Sequence, residues 1–398
     1  MVSGRRWTWF IWGLGGFCLA VVAAMGAWAA LQGPLTVYRV IVNGETTIED
    51  YKRYPFRPLT PSLRPYRFKE APQPELARVA VAGRGEVDLV DLLEGSSSVS
   101  FLVVKDERLL FERYFQGHDR STLVQTFSVS KSILSFLIGA AIEDGVIGGV
   151  DDVVTAYVPE LSASGFDKVR IVDLLQMNSG MDYVENDNPF GQHVRFNYTP
   201  DLENEILALH VRPVPQHGFT YKSGESALLG LVLKRALKEK TISQYTQGRL
   251  WEPLGMEYGG LWSLDAEGGL EKAWCCLSAT ARDLAKFGAL YRDRGMWQGA
   301  PILPMRWVAD STINGPFSPD RWWHTGFWNY GYQWWLVNRE RGDFMARGKD
   351  GQFIYVDPAS GVVVVRLGPR LGTYGGNPLT VDDWSAFFQA VAAKAAAL

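Results

Sequence analysis

Two apolar hairpins near opposite ends of the chain constrain its fold more than any other feature. The first pairs Ser100-Phe101-Leu102-Val103-Val104 with Leu109-Leu110-Phe111-Glu112-Arg113-Tyr114-Phe115 across the charged turn Lys105-Asp106-Glu107-Arg108. The second pairs Gln352-Phe353-Ile354-Tyr355-Val356 with Gly361-Val362-Val363-Val364-Val365-Arg366 around Asp357-Pro358. Runs rich in β-branched and aromatic residues, bounded by turn formers, read as strands. Val87 to Leu93 reads as a short helix, and Asp382 to Ala396 as a closing one. Helical and loop segments alternate between about 150 and 300. Strands at both ends with a helical middle imply an α+β sandwich, an antiparallel sheet flanked by helices and holding a helical insertion subdomain.

The chain has 398 residues, enough for one large two-part domain or two domains. Hydrophobic residues at 47% and charged residues at 21% fit a globular body, and a net charge of −3 gives no nucleic-acid footprint. The 15 tryptophans point to aromatic-lined surfaces or a thick core. Of the three cysteines, Cys18 lies in the N-terminal apolar segment and Cys275 and Cys276 are adjacent. Neighbouring cysteines rarely bridge each other, so no disulfide is expected. The histidines His118, His193, His210, His217 and His324 form no metal-binding spacing, and no metal or other cofactor is expected.

The N-terminus carries a membrane signal. Arg5 and Arg6 precede an uncharged stretch from Trp7 to Leu31, long enough to span a bilayer. The arginines ahead of it predict a cytoplasmic N-terminus and an exported body, anchored in the inner membrane through residues 1–31. Trp7, Trp9 and Trp12 resemble interfacial anchors. The alternative is a signal peptide cleaved after Ala27-Trp28-Ala29, releasing a periplasmic or secreted protein. Residues 32–86 form a lead-in broken by Pro55, Pro58, Pro61, Pro65, Pro72 and Pro74, expected to wrap along a body at 87–398.

Chemistry concentrates at Thr126-Phe127-Ser128-Val129-Ser130-Lys131-Ser132, which opens an apolar helix ended by Asp144-Gly145. Residues three apart share a helix face, so the Lys131 amine can reach the Ser128 hydroxyl and activate it as a nucleophile. The helix start adds free N–H groups where an acyl oxyanion can be held. A chain of this length contains roughly one S-x-x-K by chance. The bland alternative makes Ser128 a helix cap and Lys131 a solvated side chain, so the surrounding residues must decide.

Those residues resemble the class C β-lactamase-related serine hydrolases, in the branch of 6-aminohexanoate-dimer hydrolase and related esterases. The similarity includes Glu112-Arg113-Tyr114-Phe115-Gln116-Gly117, the Ser128 run and Asp173 to Tyr183. It continues through Trp251-Glu252-Pro253-Leu254-Gly255-Met256, Ala281 to Gly288, Tyr330 to Trp335 and Gly351-Gln352. The resemblance implies a β-lactamase and penicillin-binding-protein-like fold. It also implies that Tyr221 and Ser223, in Phe219-Thr220-Tyr221-Lys222-Ser223, are the family's Y-x-S motif ahead of a helix from Ser226 to Leu237. Tyr221 is then a proton handler facing Ser128, and a cationic lysine nearby is expected to lower its pKa.

The third family motif departs from the pattern. Ala346-Arg347-Gly348 stands where K-T-G or H-x-G is usual, so Ala346 replaces the basic residue. Arg347 or Lys349 is a substitute source of charge. The resemblance implies an oxyanion hole from the backbone N–H of Ser128 and of Lys349 after Gly348, with Gln352 close by. Tyr183, in the loop with Asp182 and Glu185, is a candidate substrate contact. Trp322, Trp323, Trp328, Tyr330, Tyr332, Trp334 and Trp335 are candidates for a pocket lining or for core, with Trp334 assigned to core.

The sequence thus predicts a serine hydrolase acting on a small ester or amide through a Ser128 acyl-enzyme. The alternatives are a β-lactamase or DD-peptidase, disfavoured by Ala346, and an acylated sensor or inactive homologue, disfavoured by the retained Ser128, Lys131 and Tyr221.

Overall fold

The computed structural model describes residues 4–212, 218–313 and 329–398. His217, His324, Trp322, Trp323 and Trp328 lie outside the described residues. The two hairpins join in one eight-stranded sheet. Its order is Asn329–Tyr330, Trp335–Asn338, Asp343–Gly348, Gln352–Asp357, Val362–Leu367, Ser100–Lys105, Arg108–Tyr114, Lys69–Glu70. The seam between the hairpins is antiparallel, with Val362 opposite Lys105 and Leu367 opposite Ser100. Only the edge strand Lys69–Glu70 runs parallel to its neighbour.

Helices cover both faces, which explains why Val362–Val365 has no polar alternation: a strand buried on both sides reads as a continuous apolar run. Successive side chains alternate between the faces. Phe101, Val103, Phe353 and Tyr355 pack against Trp384, Phe387, Phe388 and Val391 of the C-terminal helix Val381–Ala396. That helix starts with a capping box, Thr380 and Asp383 each bonding the other's backbone N–H. Leu102, Val104, Ile354 and Val363 face the helices Val129–Glu143 and Ala281–Arg292. Gly288 lets the latter helix approach the sheet closely. A Cβ there would lie 2.7 Å from Ile354 Cγ2 and from Val363 Cγ1.

Three expectations need correction. The helix placed at Val87–Leu93 is the strand Gly85–Asp88 followed by the helix Leu89–Gly95. Asp88 caps that helix, accepting from the backbone N–H of Val90 and Asp91. The helix expected from Ser226 begins earlier and spans Ser223–Ala236. The middle of the chain is not purely helical. A second sheet, ordered Phe56–Leu59, Gly260–Ser263, Leu277–Ala279, Val124–Gln125, crosses it.

Residues 32–86 are built into both sheets, through Phe56–Leu59 and Lys69–Glu70. The N-terminal helix Gly4–Gln32 bends at Gly33 into a second helix, Pro34–Asn43. Among the described residues no single helix is long and apolar enough to cross a membrane. Phe17–Gln32 and Pro34–Asn43 pass that test only together, as a pair bent by 114°.

Candidate active site

Ser128 sits where the second sheet hands the chain to a helix. Thr126 donates its backbone N–H and its hydroxyl to Leu277 O, at 2.9 and 2.8 Å. Leu277 N donates back to Ser130 Oγ at 3.1 Å. Phe127, held between these clamps, takes a positive φ of 48°. This is a conformation that a bulky residue adopts only when its surroundings impose it. Ser128 occupies the cap position of the helix Val129–Glu143, yet its side chain makes no capping hydrogen bond. Lys131 Nζ donates to Ser128 Oγ at 3.0 Å instead. The capping explanation of Ser128 is thereby removed, and Lys131 is buried rather than solvated.

Lys131 is held from three directions. Its Nζ also donates to Ser223 Oγ at 3.1 Å and to Trp274 O at 3.0 Å. Burial pushes its pKa down to about 8, partly countered by the negative charge of Glu185. Tyr221 lines the cavity beside Ser128, and Lys131 Nζ stands 5.0 Å from its ring centroid. The expectation for this pair is reversed. Burial drives the Tyr221 pKa up, with Glu185 adding to the rise. The lysine is the group whose proton is loosened, because desolvation disfavours the charged form of each residue: ammonium in one, phenolate in the other.

Behind Ser223 stands a carboxylate. Ser223 donates its hydroxyl to Glu185 Oε1 at 2.6 Å and its backbone N–H to Oε2 at 2.7 Å. A continuous hydrogen-bonded chain therefore runs Ser128, Lys131, Ser223, Glu185. Tyr183, the expected substrate contact in this loop, is buried and does not line the cavity. Its hydroxyl pairs with His193 Nδ1 at 2.9 Å, and its ring packs over Gly224, where a Cβ would come within 2.6 Å. Glu185, two residues on, does line the cavity.

The cavity over Ser128 has a volume of about 880 Å³. Ser128, Tyr221, Ser223, Gly348 and Lys349 all line it, as do Trp335 and Arg347. Trp335 stacks on Tyr221 at 5.4 Å, and the Arg347 guanidinium lies 5.4 Å from the Trp335 ring centroid. Of the aromatic candidates, Trp334 is core, wholly buried against Phe287 and Tyr291. Tyr330 packs against Tyr221 and Trp335, and Tyr332 against Trp307. The strand expected through Tyr330, Tyr332 and Trp334 is broken between Tyr330 and Trp335.

The strand Asp343–Gly348 ends against the nucleophile turn. A Cβ on Gly348 would lie 2.3 Å from Thr126 O and 3.2 Å from Phe127 Cβ, so only glycine permits this approach. Ala346 belongs to the core, and the side chain facing the cavity is Arg347. After Gly348 the backbone turns through Asp350 and Gly351, both at positive φ. Buried Arg366 holds that turn, donating to Asp350 O at 3.1 Å and Gly351 O at 2.8 Å. Gln352 is also a support and does not line the cavity. Its side chain donates to Lys349 O at 3.0 Å and to Gly368 O, and accepts from Gly368 N.

One wall was not expected. Cys275 and Cys276 are joined as a disulfide and line the cavity next to Trp274, whose carbonyl holds Lys131. Adjacent cysteines bridge here because the chain turns sharply: Cys276 takes a positive φ of 67°, and Leu277 N returns to Cys275 O at 2.9 Å.

A model of the Beta-lactamase family matches residues 88–377. The chain belongs to that family. It is a serine hydrolase. The 6-aminohexanoate-dimer hydrolase of Paenarthrobacter ureafaciens is 29% identical over 300 residues, covering 70% of this chain and 74% of the relative. A solved structure from Bacillus anthracis, named as a candidate 6-aminohexanoate-dimer hydrolase, superposes with a TM-score of 0.74. It is 21% identical and covers 88% of this chain and 92% of that one. A family VIII carboxylesterase superposes with a TM-score of 0.60 at 16% identity, covering 77% and 95%. These two likenesses show that the hydrolase shares their fold, an α+β sheet flanked by helices.

Proposed function

We propose that this hydrolase cleaves small linear amides or short acyl esters through an acyl-enzyme on Ser128. The observation that carries the reading is the hydrogen-bonded chain Ser128–Lys131–Ser223–Glu185 beneath an open cavity. Neutral Lys131 accepts the Ser128 proton as Oγ attacks the carbonyl carbon. The backbone N–H groups of Ser128 and Lys349 receive the developing oxyanion. Tyr221, kept protonated by burial, delivers a proton to the departing amine or alcohol and is recharged through Lys131. Water then attacks the acyl-enzyme by the reverse route. The turn supported by Arg366 and Gln352 positions the Lys349 N–H.

Arg347 and Lys349 bring positive charge to the cavity where Ala346 brings none. This favours acyl groups that carry a carboxylate, without requiring a β-lactam ring. The name of the Paenarthrobacter relative supports a linear amide, and that of the family VIII structure supports an ester. We further propose that the apolar N-terminal segment tethers the protein to the inner membrane, with the catalytic body outside the cytoplasm.

The test is turnover of nitrophenyl esters, a linear 6-aminohexanoate dimer and nitrocefin, beside the Ser128→Ala variant. Ester or dimer turnover that Ser128→Ala abolishes supports the proposal. Rapid loss of nitrocefin with no ester or dimer turnover would favour a β-lactamase. A stable adduct without turnover would favour a sensor.

A further inference from the structure

The helix Pro34–Asn43 has one docked face and one bare face. Val37 is buried, and Arg39 ties the helix to the body by donating to Tyr198 O, Thr199 O and Asp265 O at 3.2, 3.1 and 2.7 Å. Leu35, Tyr38, Ile41 and Val42 occupy the other side, at helical spacing, with exposures of 45%, 60%, 52% and 59%. Directly after this helix, Gly44, Glu45 and Thr46 form part of the cavity lining, and Lys349 Nζ bonds Thr46 Oγ1 at 3.2 Å. A second stretch of the lining repeats the pattern. Asn186, Asp187 and Pro189 line the cavity, and the next residue, Phe190, is 62% exposed. The ring of Phe190 meets Trp28 of the N-terminal helix at 5.0 Å. Exposed apolar side chains thus adjoin the cavity lining at two stretches of the chain, and both connect to the apolar N-terminal helix.

We infer that this face lies on a phospholipid surface and turns the mouth of the Ser128 cavity toward the bilayer, so that acyl esters or amides partitioned into lipid are the substrates it meets. A short helix docked on the protein by one face and bare and apolar on the other can lie in the interfacial plane, its exposed apolar residues sunk into the headgroup boundary. Tyr38 and Trp28 are of the types enriched at that depth. Among the described residues the rim carries Glu45 and Asp187 as well as Lys349, with no basic stripe, so the surface it fits is zwitterionic rather than anionic. Each further methylene of an acyl chain strengthens membrane partitioning, so longer-chain substrates are concentrated where the mouth opens. The substrate part of this inference rests on the hydrolase reading; the surface part does not.

Two measurements on the full chain in phosphatidylcholine vesicles test it. In a Cys18→Ser background, Ile41→Cys and, as a distant exposed control, Leu63→Cys receive nitroxide labels. The label at 41 is expected to be open to oxygen and shielded from a water-soluble nickel complex, and the label at 63 to show the reverse. Equal exposure of both labels to nickel, or spin–spin broadening that assigns the face to a second copy, would overturn the inference. The second measurement uses the combined Leu35→Ser, Tyr38→Ser, Ile41→Ser, Val42→Ser variant. It is expected to keep turnover of a soluble short-chain nitrophenyl ester within twofold while losing at least tenfold on a vesicle-embedded long-chain ester. Equal turnover of the embedded ester by variant and wild type, or parallel loss on both esters, contradicts it. If wild type cleaves neither ester, the hydrolase reading fails, and the label at 41 still decides where the face lies.

Discussion

Replacing Glu185 by glutamine keeps the side chain's size and removes the charge that favours protonated Lys131. The structure sets the scale of the effect. Lys131 Nζ and Glu185 Oε1 are bridged by the single hydroxyl of Ser223, at 3.1 and 2.6 Å, so the two charges lie within about 6 Å. At an effective dielectric of about 20, a separation of about 6 Å corresponds to about 3 kcal/mol. Glu185 is 29% exposed, and water screens it, so about half of that energy is expected to survive. Half is equivalent to about one pH unit. The sign follows from the direction of charge. Lys131 is active when neutral, so kcat/KM for a nitrophenyl ester rises with pH through the Lys131 pKa of about 8. Without the carboxylate the ammonium is less favoured, its pKa falls further, and the rising limb moves to lower pH by about one unit. The assay is a pH series of initial rates on Glu185→Gln and wild type, followed where nitrophenol absorbance does not depend on pH. A limb that stays near 8, or moves upward, refutes the assignment of Lys131 as the base and of Glu185 as the charge that tunes it.

Three further outcomes follow from the same geometry. Tyr221→Phe keeps the ring stacked on Trp335 but removes the hydroxyl that delivers the proton to the leaving group, so kcat should fall by about 10²–10⁴-fold with an unchanged melting temperature. Gly348→Ala forces a Cβ against Thr126 O; urea unfolding should show a loss of about 2 kcal/mol, and ester turnover should fall with it. Thiol titration of the denatured, unreduced chain should find one reactive cysteine, Cys18, rising to three after reduction.

Local patterns made much of this molecule legible in its sequence. The hairpins depend on β-branched and aromatic runs bounded by turn formers, and the closing helix on helical periodicity, all within short windows, and their bounds shifted by only a residue or so. Ser128 and Lys131 are joined by helix spacing alone, so their contact could be read directly. Tyr183 and Glu185 show where such reading stops. Which of two neighbours faces the cavity depends on the direction of a loop, and here the tyrosine is drawn inward against Gly224 and His193. Gln352 failed for a similar reason: it lies beside the site in sequence and points behind the turn. The pKa order of Lys131 and Tyr221 was also hidden, because proximity to a cation and burial act in opposite directions on a phenol. The depth of burial becomes known only when Trp335, Tyr330 and the sheet edge close over the pair. The bond between Cys275 and Cys276 needs a backbone turn that no residue type in that stretch announces.

The central claim is that Ser128 carries the acyl group. The direct measurement is acid-quenched mass analysis of wild type during turnover of a nitrophenyl butyrate ester, followed by peptide mapping. The account predicts one butyryl group on the peptide containing Ser128, more of it at early times than after the substrate is exhausted, and none in Ser128→Ala. An acyl group on another residue, or undiminished turnover by Ser128→Ala, would contradict it.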